Sequence, residues 1–271
     1  MKQLFRWAGS KKQQIKHLAP YFSEYTFSRY LECFAGSACL YFHLEPGQAI
    51  LNDTNKELID TYRAIKTNPK AVYKNLISFP VSKEFYYELR DKKIIGDMFY
   101  QAARFTYLNR FCFNGLYRTN LQGAFNVPCG SIIRNGSLPS LEHLVQASTM
   151  LRNTALYNDN FEKFIQINIQ ENDFIYLDPP YFKKGKNGFI EYGPNLFTQE
   201  KLIEVISLLD FIDSKKAYFV LSYLVCPEIN AILAKWNYEY IDVNRIIAGN
   251  IDKRNKSREI LITNIPREKV W

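Results

Sequence analysis

Short apolar runs alternate with helix-spaced segments along this chain, and that alternation constrains the fold more than any other feature of the sequence. Strands are expected over residues 29–34, 49–53, 154–157, 173–177, 217–222 and 238–243, with a last strand over 259–264 closing the sheet. Helices lie between them: Leu58, Ile59, Tyr62 and Ile65 recur at helical spacing within 55–66, and further helices are expected at 37–44, 69–77, 83–92, 97–109 and 140–151. Strands that alternate with helices build a mostly parallel sheet covered on both faces, an α/β fold. Residues 56–145 interrupt this rhythm between the second and third strands and read as a mainly helical insertion. Its segment 111–139, rich in Asn, Gly and aromatic residues without a clear period, is too long to be a mere connection.

Several classes are excluded at this stage. The longest apolar stretch, Ala217 to Cys226, falls well short of the roughly 18 to 20 residues that a membrane span requires. The basic N-terminus lacks the apolar segment and small-residue cleavage site of a secretory signal. Five cysteines (33, 39, 112, 129 and 226) show neither metal-ligand spacing nor the even count of a disulfide framework, and His17, His43 and His143 are scattered. A cytoplasmic chain with free thiols and no metal is expected.

The net charge of +8 is segregated rather than sprinkled. Residues 1–23 hold five Lys/Arg and no acid, 98–141 hold four Arg and no acid, 182–188 add three Lys, and 245–258 carry five basic residues against Asp252. These windows total +16, so the rest of the chain is net −8. Any one of them reads equally well as a solvated loop. Four acid-poor segments on an acidic scaffold suit loops that converge on phosphates.

Two constellations carry chemistry. Phe34-Ala35-Gly36-Ser37-Ala38 ends the first strand and Leu51-Asn52-Asp53 ends the second. A glycine there lets the backbone approach a ligand, and an acid 17 residues later can accept from ribose hydroxyls; alone, such a glycine is most often just a turn. The second is Asp178-Pro179-Pro180-Tyr181, directly after the apolar run Phe174 to Leu177. Most Pro-Pro pairs simply end a strand. Here an acid and two residues of fixed φ make a rigid set of acceptors beside an aromatic plate, which is what holding the exocyclic amine of a flipped base requires.

Arg6-Trp7-Ala8-Gly9-Ser10-Lys11, the FAGSA and LND turns, the block NRFCFNGLYRTNLQGAFNVPCG, DPPY and the terminal REILITN, in this order, resemble the Dam-type (D12 class) DNA adenine-N6 methyltransferases over about residues 4–265. The resemblance implies a Rossmann-like S-adenosylmethionine-dependent methyltransferase sheet (1–55 and 146–271) with an inserted, mainly helical target-recognition domain (56–145) bearing a hairpin loop at about 111–139. It implies S-adenosylmethionine as cofactor, held by Trp7, Ala8, Gly9, Lys11, Phe34, Gly36, Asp53, Asn160, Phe161 and Asp178, and catalysis by Asp178, Pro179, Pro180 and Tyr181. Double-stranded DNA would be met by Arg6, Phe113, Asn114, Leu116, Arg118, Pro128 and Lys184, with Phe113 the wedge, Asn114 facing the orphaned base and Arg118 reading a guanine. The expected setting is the cytoplasmic nucleoid, the expected state a monomer on DNA, and the target GATC or a close variant; a cognate restriction endonuclease is left open.

The chain departs from the family pattern at four positions. Ala38 replaces the second glycine of F-x-G-x-G, which would put a methyl group near the cofactor's path; Tyr223 follows Ser222 where Asn is usual; Arg6 replaces Lys; and Ile132 replaces an aromatic. Ala38 and Tyr223 keep open a catalytically silent DNA-binding or partner-binding relative, and an RNA adenine methyltransferase is the further alternative.

Overall fold

The computed structural model describes residues 3–92, 96–120, 122–131, 137–182, 197–244 and 256–266. Its centre is a seven-stranded sheet of order β3-β2-β1-β4-β5-β7-β6, built from β1 (Arg29–Glu32), β2 (Ala49–Asn52), β3 (Thr154–Tyr157), β4 (Asp173–Leu177), β5 (Tyr218–Leu224), β6 (Asn237–Asn244) and β7 (Lys256–Thr263). The first five strands pair in parallel, whereas β7 runs antiparallel to both β5 and β6. β7 therefore does not close the sheet, as the sequence suggests, but inserts between β5 and β6 and leaves β6 at the edge. All five residues of β4 are buried, as expected for a central strand covered on both faces.

Helices start where a side chain can satisfy the first free amides. Asn55 caps α3 (Lys56–Thr67), Asn68 caps α4 (Pro69–Ile77), Ser82 caps α5 (Lys83–Asp91) and Asp97 caps α6 (Met98–Phe111). Ser140 caps α7 (Leu141–Leu151), Asn160 caps α8 (Phe161–Asn168) and Thr198 caps α9 (Gln199–Ser214). α1 is Ile15–Ser23 and α2 is Cys39–Leu44. α2 begins two residues later than its composition suggests, because Ala38 takes a left-handed conformation, φ 48° and ψ 38°. β1 stops at Glu32, short of Phe34, because the chain then turns: the Ala35 amide donates to the Asn52 carbonyl at 2.9 Å.

Two apolar layers sandwich the sheet. One gathers Leu31, Ile175, Leu177 and Phe219 against Phe164, Leu209 and Ile212 of α8 and α9. The other is continuous from Tyr30, Leu51 and Phe174 through Leu58 and Tyr62 of α3 to Ala103, Tyr107 and Leu144 of α6 and α7. The helices of the insertion thus pack on the sheet directly. Arg63 Nη2 and Lys66 Nζ of α3 donate to the Leu156 and Thr154 carbonyls of β3, at 2.7 and 2.8 Å. No described helix is long and apolar enough to cross a membrane.

Candidate active site and nucleic-acid interface

The carboxyl ends of β1, β2, β4 and β5 meet under the N-terminal segment. Gly36, at φ +47°, sits so tightly under the Trp7 indole that an added Cβ would lie 2.7 Å from its ring. The Gly36 carbonyl accepts from Tyr62 at 2.9 Å, and its amide donates to Asp53 Oδ2 at 2.9 Å. Asp53 Oδ1 accepts from the Asn55 amide at 2.8 Å. Burial pushes the Asp53 carboxyl up, and these two amide donors pull it back. Phe34 packs against Phe161 with centroids 5.3 Å apart, so an apolar aromatic pair flanks the turn. The structure thus brings Trp7, Phe34, Gly36, Asp53 and Phe161 together. Ala8 and Gly9 are exposed, and the exposed Asn160 spends its side chain on the Lys163 amide as the α8 cap.

Asp178 follows β4 directly, at the end of a fully buried central strand. Lys11 Nζ lies 3.1 Å from Asp178 Oδ1 and 3.0 Å from Glu259 Oε2, donates to the Tyr181 hydroxyl, and stands 4.7 Å from the Tyr181 ring centroid. Gln14 Nε2 also donates to Glu259, at 2.7 Å. Lys11 and Glu259 are 4% and 2% exposed, so this is a buried charge cluster. Burial alone would lower the Lys11 pKa, but Asp178, Tyr181 and Glu259 outweigh it and hold the ammonium above the ordinary lysine range. Burial, reinforced by Asp178, raises the Tyr181 phenol. Beneath them Glu32, hydrogen-bonded by Tyr30 at 2.8 Å, is pushed up to about 8 by burial, with Asp178 adding to the effect.

Around this cluster Tyr176 Oη, Ser222 Oγ and Gln14 Oε1 are buried with no hydrogen-bond partner. Tyr176 shares a strand face with Asp178, and Ser222 lies one step past the Leu177–Leu221 pair, beside it. Buried polar groups are almost always satisfied, so three that find no partner among the described residues make this corner a candidate place for polar atoms of a ligand. With Gly36, Asp53 and the Phe34–Phe161 pair, this donor set fits a nucleoside carrying a zwitterionic amino-acid tail, as S-adenosylmethionine does.

The basic windows are only partly a surface. Lys11 is an interior cation rather than a phosphate contact, and Arg104, also buried, donates to the Leu89 and Arg90 carbonyls at 3.1 and 3.2 Å and faces Glu57 at 3.5 Å. Lys184 and Ile132 lie outside the described residues.

The recognition block folds back on itself after α6. Cys112 and Cys129 form an antiparallel bridge flanked by Phe113 N donating to the Pro128 carbonyl at 2.9 Å and Gly130 N donating to Phe111 at 2.8 Å. Phe113 is 46% exposed, and Asn114 and Gly115 take φ +54° and +66°. Gly115 is required there, since a Cβ would lie 2.6 Å from Arg6 Cβ. Arg6 is fixed by reciprocal bonds with Asn109, at 2.9 and 2.7 Å, and by Nη1 donating to the Arg110 carbonyl at 3.1 Å. Arg118 Nε donates to Asn126 Oδ1 at 2.8 Å, which orients its guanidinium. Leu116 is part-buried against the core, and Pro128 is exposed.

Glu32, Glu259, Gln14, Asn126 and Tyr223 carry no role in the sequence reading. A signal for the first two is there: each is a carboxylate directly adjoining an apolar strand run, after Tyr30-Leu31 and before Ile260-Leu261-Ile262.

A mostly parallel sheet, an antiparallel β6–β7 pair at one side and a ligand corner at the strands' carboxyl ends define a Rossmann-like methyltransferase. The chain belongs to the D12 class of N6 adenine-specific DNA methyltransferases, whose family model matches residues 7–248, and it is an adenine-specific DNA methyltransferase. It is 32% identical to the Type II methyltransferase M1.LlaDCHI of Lactococcus lactis subsp. cremoris, over 96% of this chain and 94% of that one. It is 28% identical both to the Type II methyltransferase M.MjaIII of Methanocaldococcus jannaschii, over 97% and 99% of the two chains, and to a DNA adenine methylase of Vibrio cholerae, over 96% and 95%. Among the described residues no group of His, Cys, Asp and Glu is arranged to hold a metal.

Proposed function

We propose that this chain methylates N6 of an adenine flipped out of duplex DNA, with S-adenosylmethionine as donor, at GATC or a close variant. The observation that carries the reading is Asp178 fixed at the end of β4 by Lys11 at 3.1 Å, next to Pro179, Pro180 and Tyr181. The adenine amine is a poor nucleophile because its lone pair is delocalised into the ring. Asp178 and the Pro179 carbonyl accept its two N–H bonds, favour a pyramidal nitrogen and aim the lone pair outward, with no prior deprotonation needed. Tyr181 stacks on the base. When bound, S-adenosylmethionine supplies the electrophilic methyl group; Trp7, Phe34, Gly36, Asp53 and Phe161 would hold its nucleoside, and Lys11 its charged end.

On the same reading Phe113 wedges into the duplex, Asn114 meets the orphaned base, and Arg118 and Arg6 read guanines. Residues 56–145 serve as the recognition domain, and the protein works as a cytoplasmic, nucleoid-associated monomer. The type II designation of two relatives supports a cognate restriction endonuclease as partner.

The test is incubation with tritiated S-adenosylmethionine and duplexes that differ by one base within and around GATC, with a structured RNA alongside. Label in the GATC duplex, lost when its adenine is replaced, is the expected result. DNA bound without label would make the chain a silent relative, and label in RNA alone would make RNA the substrate.

A further inference from the structure

Two consecutive prolines bring no N–H of their own to anchor a loop, so whatever fixes Pro179-Pro180-Tyr181 must come from outside it. Lys11 holds the Asp178 side. On the other side stands Tyr223, at the end of β5, 1% exposed and in the position where the family usually has Asn. Its hydroxyl accepts from the Phe182 amide at 2.8 Å and donates to the Pro180 carbonyl at 3.4 Å, so one oxygen grips the backbone both before and after Tyr181. Its ring meets the Tyr181 ring edge-on, with centroids 5.0 Å apart and planes at 88°. That geometry fixes the tilt of the Tyr181 face as well as the path of its backbone.

We propose that Tyr223 is a positioning residue for methyl transfer: it touches no substrate itself, but by holding the Pro180 carbonyl, the Phe182 amide and the Tyr181 ring it fixes the loop that presents the Pro179 carbonyl and the Tyr181 face to the target adenine. This rests on the catalytic reading given above. An Asn side chain is too short to reach the same two backbone groups and offers no ring edge, so Tyr223 replaces whatever support that Asn gives with a longer, aromatic one. The burial that raises its hydroxyl pKa to about 12 keeps the phenol protonated, and therefore able to donate, across the working range of pH.

Tyr223→Phe separates positioning from packing, because it keeps the ring and removes both hydrogen bonds. In single-turnover methylation of a GATC duplex the Phe variant should be slowed about tenfold, the cost of two neutral hydrogen bonds expressed in the transition state. Its KM for duplex and its affinity for S-adenosylmethionine should stay within about twofold and its melting temperature should fall by only a few degrees, since the lost contacts orient rather than bind. Tyr223→Leu, which also loses the ring edge, should be slower still. With 2-aminopurine at the target position, both variants should flip the base as wild type does yet give a different stacked fluorescence, a signal that a purely structural role would not move. A Phe variant as fast as wild type overturns the proposal, as does a rate loss that merely follows losses of melting temperature and cofactor affinity in both variants. Wild-type protein that transfers no label to any duplex would instead sink the catalytic reading itself, and this inference with it.

Discussion

Around Asp178 the charged side chains hold one another; around Phe113 the backbone is pinned and the Phe113 and Asn114 side chains face solvent. Lys11 ties Asp178 to Glu259 with each contact near 3 Å, itself and Glu259 almost free of solvent and Asp178 19% exposed, while Phe113 is 46% exposed beside an isolated β-bridge between Cys112 and Cys129. The difference follows from what each region must do. Groups that act in the transition state gain most when their orientation is settled before substrate arrives. If, as proposed, Phe113 is a wedge and Arg118 a base reader, they must meet a duplex that itself deforms, and a fixed backbone that presents exposed or half-exposed side chains suits that task.

The largest effect expected is at the locked end. Asp178→Ala removes an acceptor for the N6 amine, and should lower turnover about 100-fold or more while largely sparing cofactor binding, because most of the loss falls on orientation in the transition state. Lys11 keeps Glu259 as partner, so the fold should survive. Turnover within about tenfold of wild type would show that the locked cluster does not serve the chemistry.

Next comes the cost of that cluster. Glu32, 3% exposed, has a folded pKa near 8 against an ordinary value of 4.5, so the folded state binds its proton more tightly than the unfolded state does. Its contribution to stability is fully present below pH 4.5 and is lost as pH rises through 8. Glu32→Gln should remove that loss, leaving the variant more stable than wild type at pH 9 by roughly 3 to 5 kcal/mol. Urea melts at pH 5, 7 and 9 measure it. Parallel pH dependence in both proteins would mean that Glu32 ionises as an ordinary carboxylate, and that the buried end is wetter than its geometry indicates.

How much of this contrast was legible in the sequence depends on the range of the interactions. The helix starts were legible because Asn55, Ser82, Asp97 and Ser140 act within three residues of themselves. The strand at 173–177 was legible because a short apolar run stopped by two prolines has few other conformations open to it. Lys11 is expected from the resemblance to serve the cofactor, but that it is an interior cation was not legible: its partner Glu259 is 248 residues away, and nothing local distinguishes a lysine that will be buried from one that will meet phosphate. The place of β7 between β5 and β6 was likewise a matter of long-range pairing. Tyr223 reads as a departure in the sequence, and only the path of residues 180–182 gives its hydroxyl something to hold.

A smaller effect is expected at the exposed end. Arg118→Ala should cost about 1 to 3 kcal/mol on the preferred site and relax discrimination at one guanine, because an arginine reads O6 and N7 through two parallel bonds. Asn126→Ala, which removes the side-chain acceptor at 2.8 Å that orients the guanidinium, should reproduce part of that loss. Methylation rates on single-base variants of the site decide the matter. If Arg118→Ala lowers every rate by one factor and keeps the ranking, Arg118 is a phosphate clamp, and the exposed end holds DNA without reading it at this position.

The smallest effect concerns Ala38, where the structure replaces one explanation with another. Its methyl group is not in the open path of a cofactor: Ala38 is fully buried in the core, at 0% exposure, and the anomaly is its backbone, left-handed at φ 48°. A residue with a Cβ pays about 1 to 2 kcal/mol for that conformation, and glycine avoids the penalty but loses more entropy on folding. Ala38→Gly should therefore raise unfolding stability by no more than about 1 kcal/mol, with S-adenosylmethionine affinity unchanged within error. Calorimetry and urea melts on the same preparation separate the two accounts. Tighter cofactor binding without a gain in stability would return the methyl group to the cofactor's path; a gain in stability alone makes Ala38 a backbone cost carried next to a preorganised site, where strain of this kind is commonly retained.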